Sequence, residues 1–313
     1  MKKTSQCVVL CSLTLASSLP ASTTAYWRLE EGINGSDVTA AVDSSGNGFG
    51  QSSRSGTPKY SNNVPGAYIF DPVSGLTSPN TLSLDASVAN SRIRTVNDAA
   101  FNTSFTAEMF IQLTGQPGGY HNFMRRQESL TNRWQIDFDH AAGGPFGRGR
   151  ARLDTPDGDN VNTVVGPTGN AAVTGANRLW VDTPLGDGNP ASYSGDSDWA
   201  TQGDGANDLP GWHHIAVTLN TNTNEWSFYM DYQLMQTRTL VDTDSSGYAH
   251  PNALIEFGKG GGGATYGTFI DEVRYSDGVL DPTQFLQAAT SIPEPSSALL
   301  SLLGGLALVR RRR

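Results

Sequence analysis

Cysteine is almost missing from this chain. Its 313 residues hold two, Cys7 and Cys11, both within the first eleven positions. They lie in a stretch that reads as a secretory leader: Lys2-Lys3, an uncharged run from Cys7 to Leu19, then Pro20-Ala21-Ser22-Thr23-Thr24-Ala25. Cleavage is expected after Ala25, with Ala21 as second choice, and either removes both thiols. Disulfides and cysteine catalysis are thereby excluded from the exported part, although its compartment permits disulfides. Charge is also sparse, at 16% of residues, and basic charge sparser than acidic. Without two Lys of the leader, and without four Arg and Glu294 of the C-terminal tail, the formal charge goes from −9 to −14. That balance makes nucleic acid a poor partner and an anionic membrane surface repulsive, while acidic loops are compatible with calcium. The apolar run Ser296 to Val309 stops at 14 residues, short of the ~18 of a permanent span.

Glycine and proline are plentiful, 35 and 16 residues, which favours turn-rich β structure over helical bundles. The plainest pattern begins at Gly211-Trp212-His213-His214. Ile215, Val217 and Leu219 fall on one strand face, with Trp212, His214, Ala216 and Thr218 on the other. Trp226, Phe228 and Met230 repeat the alternation, and Thr221-Asn222-Thr223-Asn224 supplies a polar turn, so this is a β-hairpin with half-buried strands. Upstream, residues 51–66 read as a polar connection, while 67–70, 81–84, 92–96, 105–113, 123–126 and 133–139 read as strands. Between 140 and 210 Gly, Asp, Asn and Pro crowd the chain, relieved by possible strands at 148–153, 161–165 and 178–181. No second core is visible there, so the segment is treated as long loops on one domain. Residues 258–263 read as a glycine-rich bend, and Asp281-Pro282 as the start of a short capped helix reaching Gln287.

Three phrases, Trp212-His213-His214, Tyr229-Met230-Asp231 and Ile270-Asp271-Glu272-Val273-Arg274, follow one another in an order that resembles the laminin-G-like, concanavalin A-type jelly-roll family. Ala25 to Gly32, Asp43 to Gly48 and Ser104 to Phe110 match the family's first strand, first loop and first central strand. The resemblance implies an all-β sandwich of two antiparallel sheets over 26–290. One departure is that Tyr232 follows Asp231 where the family usually has glycine, which puts the turn there in question. At the C-terminus, Pro293-Glu294-Pro295, the apolar run and Arg310 to Arg313 closely resemble the PEP-CTERM sorting tail. That resemblance implies removal of 291–313 by an exosortase-type protease, transient membrane contact through a short C-terminal hydrophobic helix, and delivery to the envelope, surface or extracellular matrix.

The closing-strand Asp271 shares a face with Phe269, Val273 and Tyr275 by simple alternation, and a carboxylate there needs a cation or several donors. The jelly-roll resemblance implies a structural calcium held by Asp43, Asn47 and Asp271; the competing reading has Asp43 capping its own turn and Asp271 accepting backbone N–H groups. His213 and His214 point to opposite faces of their strand and cannot readily share an ion. Gln135, Asp137 and Asp139 occupy one strand face, with a glutamine where the two-carboxylate pattern of jelly-roll glycosidases needs an acid. Trp180, Tyr193 and Trp199 stand in or beside the long polar segment, where exposed rings stack on sugars or anchor the loop. The jelly-roll resemblance implies a non-catalytic adhesion or carbohydrate-binding module with an extracellular polysaccharide as partner. The alternatives are a glycan hydrolase using Asp137 and Asp139, and a matrix protein without a ligand.

Overall fold

The computed structural model describes residues 21–88, 90–114, 121–128, 131–139, 148–153, 178–181, 211–239, 254–260 and 267–291. Its strands form two large antiparallel sheets facing each other across one core. The eight-stranded sheet runs β15 (Gln233–Thr239), β14 (Glu225–Met230), β13 (His213–Asn220), β8 (Phe105–Thr114), β17 (Gly267–Asp277), β6 (Ser83–Asp85) and β3 (Lys59–Ser61), with β1 (Ser22–Trp27) also paired to β17. The seven-stranded sheet runs β12 (Arg178–Val181), β11 (Arg148–Leu153), β10 (Thr131–Asp139), β9 (His121–Glu128), β16 (Leu254–Gly260), β7 (Arg92–Asn97) and β2 (Gln51–Ser55). The expected all-β sandwich is therefore present. Among the described residues no helix is long and apolar enough to cross a membrane; the expected C-terminal helix lies outside them.

The alternating residues meet where the sequence places them. Ile215, Val217 and Leu219 of β13, Trp226, Phe228 and Met230 of β14, and Ala107, Met109 and Ile111 of β8 line the core. Ile93, Met124, Trp134, Ile136, Ile255 and Phe257 come from the facing sheet. Phe105 bridges the layers, stacking on Trp134 at 5.1 Å and on Tyr275 at 5.0 Å between ring centroids. The hairpin turn closes with Asn224 at φ 53°, a conformation asparagine tolerates well.

β13 of the larger sheet is buried on both faces, not half-buried as the hairpin pattern implies, and its neighbour β8 is buried likewise. Ala216 packs with Leu280 and Phe285, and Phe110 with Ile69 and Leu286, because the segment after β17 folds back across this outer surface. The expected cap is present, with Asp281 at the N-cap and Pro282 behind it, but the helix is a single 3-10 turn and does not reach Gln287. Asp281 caps one 3-10 turn, Pro282–Gln284, with a capping box, and the chain then extends into β18 (Gln287–Ala289), which pairs with β4 (Tyr68–Asp71) and through it β5 (Leu76–Pro79). Extension lets the adjacent Phe285 and Leu286 both be buried.

Beneath this cover lies a charged network. Glu108 of β8 accepts from Arg274 Nε at 2.6 Å, His214 Nε2 at 2.7 Å and the Leu286 amide at 2.9 Å. Arg274 also donates to Asp71 at 2.6 Å and to the Gln284 carbonyl at 2.7 Å. Burial alone would raise the Glu108 pKa, but Arg274 and His214 outweigh it and hold the carboxyl below the ordinary range. Tyr232 stacks on His214 at 4.9 Å and reaches the Leu286 carbonyl. The turn in question does form, with Asp231 at φ 46° and Tyr232 at φ 68°. These left-handed conformations, unusual for a tyrosine, are held by that stacking and by Asp231, which bonds His213 Nδ1 at 2.8 Å and the His214 amide at 3.0 Å.

Three further expectations are corrected. Residues 51–66 are not mere connection, since β2 and β3 form there as polar edge strands. The supposed glycine bend begins as strand: β16 runs to Gly260, and Gly258, at φ 122°, lies where a Cβ would stand 2.4 Å from the Ser91 carbonyl. Asp271 does not share a face with Val273 and Tyr275, because the register shifts between Asp271 and Arg274 and Glu272 is the extra residue, at φ 50°. Asp271 instead pairs with Phe110 on the covered outer face, while Val273 and Tyr275 enter the core.

Glu108→Ala strands the wholly buried Arg274 guanidinium beside a single remaining carboxylate. It should lower unfolding stability by about 3–5 kcal/mol, read from urea midpoints.

Candidate functional site

The residues expected to hold calcium are tied up with protein donors. Asp43 Oδ1 accepts from the Tyr26 and Ser45 amides, both at 2.9 Å, and Oδ2 from the Phe49 amide at 3.0 Å. Burial opposes ionisation, but these bonds outweigh it and lower the Asp43 pKa. Asn47 donates Nδ2 to the carbonyls of Thr24 at 2.9 Å and Thr23 at 3.3 Å. The loop thus clamps onto β1, and the Trp27 indole closes it from the other side on the Phe49 carbonyl at 2.8 Å. Asp271 accepts from Asn80 Nδ2 at 2.8 Å and from the Glu272 amide at 2.9 Å. Among the described residues no group of three or more His, Cys, Asp or Glu is arranged to hold a metal ion.

Asp271 and Glu272 form an unusual acidic pair, both buried in the bulge. Burial, then the neighbouring Glu272 charge, pushes Asp271 well above the ordinary carboxylate value. Burial also raises Glu272, although Arg28 at 3.3 Å and the Tyr26 hydroxyl oppose the shift. The buried Asn80 Oδ1 has no partner, because the amide turns its nitrogen to Asp271 Oδ2.

The seven-stranded sheet carries a different arrangement on the surface away from the core. Its register aligns Ser53, Arg94, Glu256, Arg125, Gln135, Arg152 and Arg178 in one row across β2, β7, β16, β9, β10, β11 and β12. At the centre Glu256, 2% exposed, meets three guanidinium groups. Oε1 accepts from Arg92 Nη1 at 2.9 Å and Arg125 Nε at 2.7 Å, and Oε2 from Arg94 Nε at 2.7 Å. Burial would raise Glu256, but Arg125, Arg94 and Arg92 together hold it below the usual range, so it stays ionised. Alternation explains the segregation: Ile93 between Arg92 and Arg94, and Ile255 and Phe257 on either side of Glu256, all point into the core.

The predicted site residues divide around this row. Gln135 belongs to it and is buried. Asp137 and Asp139 follow on β10, Asp137 opposite Arg150 and Asn122, with their side chains outside the description. Trp180 lies on β12 opposite Arg150, in the next row. Tyr193, Trp199, Pro293, Glu294 and Pro295 lie outside the described residues. Glu256 was missed because 254–257 was not read as a strand, although Ile255-Glu256-Phe257 carries the apolar-charged-apolar signal of one.

The acidic bulge has a pH signature. A carboxyl whose folded pKa lies above its unfolded value favours folding while protonated. That contribution is complete below the unfolded pKa and lost as pH rises through the folded one, here from the ordinary carboxylate range upward. Asp271→Asn should therefore melt higher than the parent at pH 8 and lose that advantage by pH 4. A calcium ion seated on Asp271 would reverse the result: the variant would be the less stable in calcium, and chelator would lower the parent's melting temperature.

No family model matches the chain, and no curated protein does. Solved structures are similar in fold. The receptor binding domain of botulinum neurotoxin C/D mosaic serotype aligns with TM-score 0.52 at 11% identity, over 84% of this chain and 49% of that one. The binding domain of Paraclostridial Mosquitocidal Protein 1 aligns with TM-score 0.52 at 12% identity, over 84% of this chain and 50% of that one. The chain thus spans about half the length of these structures, and at such low identity what it shares with them is the β-sandwich.

Proposed function

We propose that this chain is an exported, non-catalytic carbohydrate-binding module of the cell envelope, surface or extracellular matrix. The observation that carries the reading is the polar row across the seven-stranded sheet, in which Arg94, Arg125 and Gln135 flank a carboxylate that is already spent. Glycosidic cleavage needs one carboxyl to give a proton and another to attack or activate water. Glu256, held ionised, has no proton to give, both of its oxygens are taken up by arginines, and Gln135 stands where the paired-carboxylate pattern would need an acid. The two structures compared above are a receptor binding domain and a binding domain, which supports recognition over catalysis by analogy of fold.

Export and processing belong to the same proposal. The tail, with Pro293, Glu294 and Pro295, supports trimming by an exosortase-type protease. At the leader, β1 favours the second of the two cuts. Ser22, Thr23 and Ala25 pair with Asp277, Ser276 and Tyr275, and Ala25 is wholly buried. Cleavage after Ala21 leaves β1 whole, whereas cleavage after Ala25 removes four of its six residues. Calcium remains part of the proposal as a structural ion only.

Intact-mass measurement of the exported protein should give an N-terminus at Ser22; a start at Tyr26 would refute that choice. On a glycan array, with calcium and again with chelator, the exported chain should bind a defined glycan class saturably and release no reducing ends. Release of reducing ends from a polysaccharide panel would overturn the non-catalytic reading, and a folded chain that binds no glycan in either condition would leave a structural matrix role.

A further inference from the structure

We propose that the eight-stranded sheet carries a sugar site of its own, a row of two rings, an amide and a carboxylate that takes a short stretch of neutral glycan. This site lies on the sheet opposite the polar row and shares with the reading above only that the ligand is a glycan. It begins at Trp212, which the charged network leaves unused although His214, two residues on, belongs to it.

Register lines the members up on the outer face. Phe269 pairs with Gln112 on one side and with Asp85 on the other. Trp212 stands one step beyond the His213 and Ile111 pair, and so beside Gln112. Two residues inward on the same four strands lie His214, Phe110, Asp271 and Ser83, and all are buried. Trp212, Gln112, Phe269 and Asp85 are all half-buried. Burial of this face thus ends between one row and the next on every one of the four strands, and the rim it leaves carries two large rings.

Trp212 packs on the cluster of Phe110, Ile69 and Leu286, and its ring centroid lies 6.4 Å from that of Phe269, tilted by 57°. The indole Nε1 donates to Asn63 Oδ1 at 3.2 Å, and Asn63 Nδ2 donates to Gln112 Oε1. These bonds hold the ring and the Gln112 amide in place before any ligand arrives. They leave Gln112 Nε2 without a partner among the described residues. At the other end the Ser87 amide and hydroxyl both go to Asp85 Oδ1, so Oδ2 is left to accept. Lys59, opposite Asp85, has its ammonium on Asp37 at 3.0 Å. Rings that take the apolar face of a pyranose, with a free amide donor and a free carboxylate oxygen for its hydroxyls, make a sugar site. Asp85 and the formal charge of −9 oppose a glycan bearing carboxylate or sulfate, which selects a neutral one. Four strands at ~4.8 Å spacing span about 14 Å, room for a few sugar rings.

The probes are cellohexaose, laminarihexaose and chitohexaose as neutral glycans and polygalacturonate as an acidic one. Binding to the exported chain is followed by calorimetric titration at low and high salt, with folding checked by thermal melting. The parent should bind at least one neutral hexaose with little change as salt rises, and should not bind polygalacturonate. Trp212→Ala should lower the affinity about tenfold or more. Trp212→Phe, which keeps a ring and loses the bond to Asn63, should fall between the two. Gln112→Glu keeps the oxygen that accepts from Asn63 and replaces the free donor with an acceptor; it should stay folded and lose affinity, which decides the matter if Trp212→Ala does not fold. Leu234→Ala removes an exposed apolar side chain of the same sheet, outside the row, and should bind as the parent does. Unchanged affinity in both Trp212→Ala and Gln112→Glu, or binding confined to polygalacturonate, would overturn the inference while the carbohydrate-binding reading stands. Failure to bind any glycan, charged or neutral, would sink both.

Discussion

The ion pair between Glu108 and Arg274 is the contact on which the larger sheet depends. Two charges that never meet solvent are tolerable only when every remaining lone pair and proton is matched. Matching them recruits distant parts of the chain: His214 from β13, Asp71 from β4, the Gln284 carbonyl and the Leu286 amide from the segment after β17. The network therefore does more than join two neighbouring strands. It fixes the path of the C-terminal segment, and that path makes the outer surface of the sheet a second interior. The Trp212-His213-His214 and Asp271 to Arg274 phrases, which resemble chemistry when read as sequence, are largely absorbed by this structural task.

The sandwich was legible because alternation survives in its central strands. Ile215, Val217 and Leu219, or Trp226, Phe228 and Met230, announce a core face whatever covers the other side. Alternation failed where one residue was inserted: nothing in Ile270 to Arg274 signals that Glu272 bulges out, yet that insertion moves Asp271 from one face to the other. It failed also where burial came from a remote segment, since residues 285 and 286 carry no mark of the surface they will cover. The edge strands β2 and β3 were invisible for other reasons: β2 is polar and largely exposed, and β3 is three residues long with only Tyr60 in the core, their pairing to β7 and β6 being what makes them strands. The arginine row is a property of register. Arg94, Arg125 and Glu256 are separated by 31 and 131 positions in the chain, and only pairing brings them together.

Two kinds of buried acidic centre in the same fold behave in opposite ways. Glu256 and Glu108 are surrounded by cations and stay ionised, whereas Asp271 and Glu272 sit side by side and hold on to protons. Desolvation acts on all four, and the difference lies in the company each keeps. The first kind favours folding at neutral pH and the second opposes it. A protein that retains the second kind in a strained bulge carries a local cost that the sandwich around it must offset.

The covering segment has one more consequence. β18 and the turn before it lie on the outside of the eight-stranded sheet, while the arginine row lies on the outside of the seven-stranded one. The polypeptide therefore leaves the described domain on the side opposite the row. A molecule held at that end would turn the row around Glu256 away from whatever holds it, because the C-terminal segment crosses the other sheet.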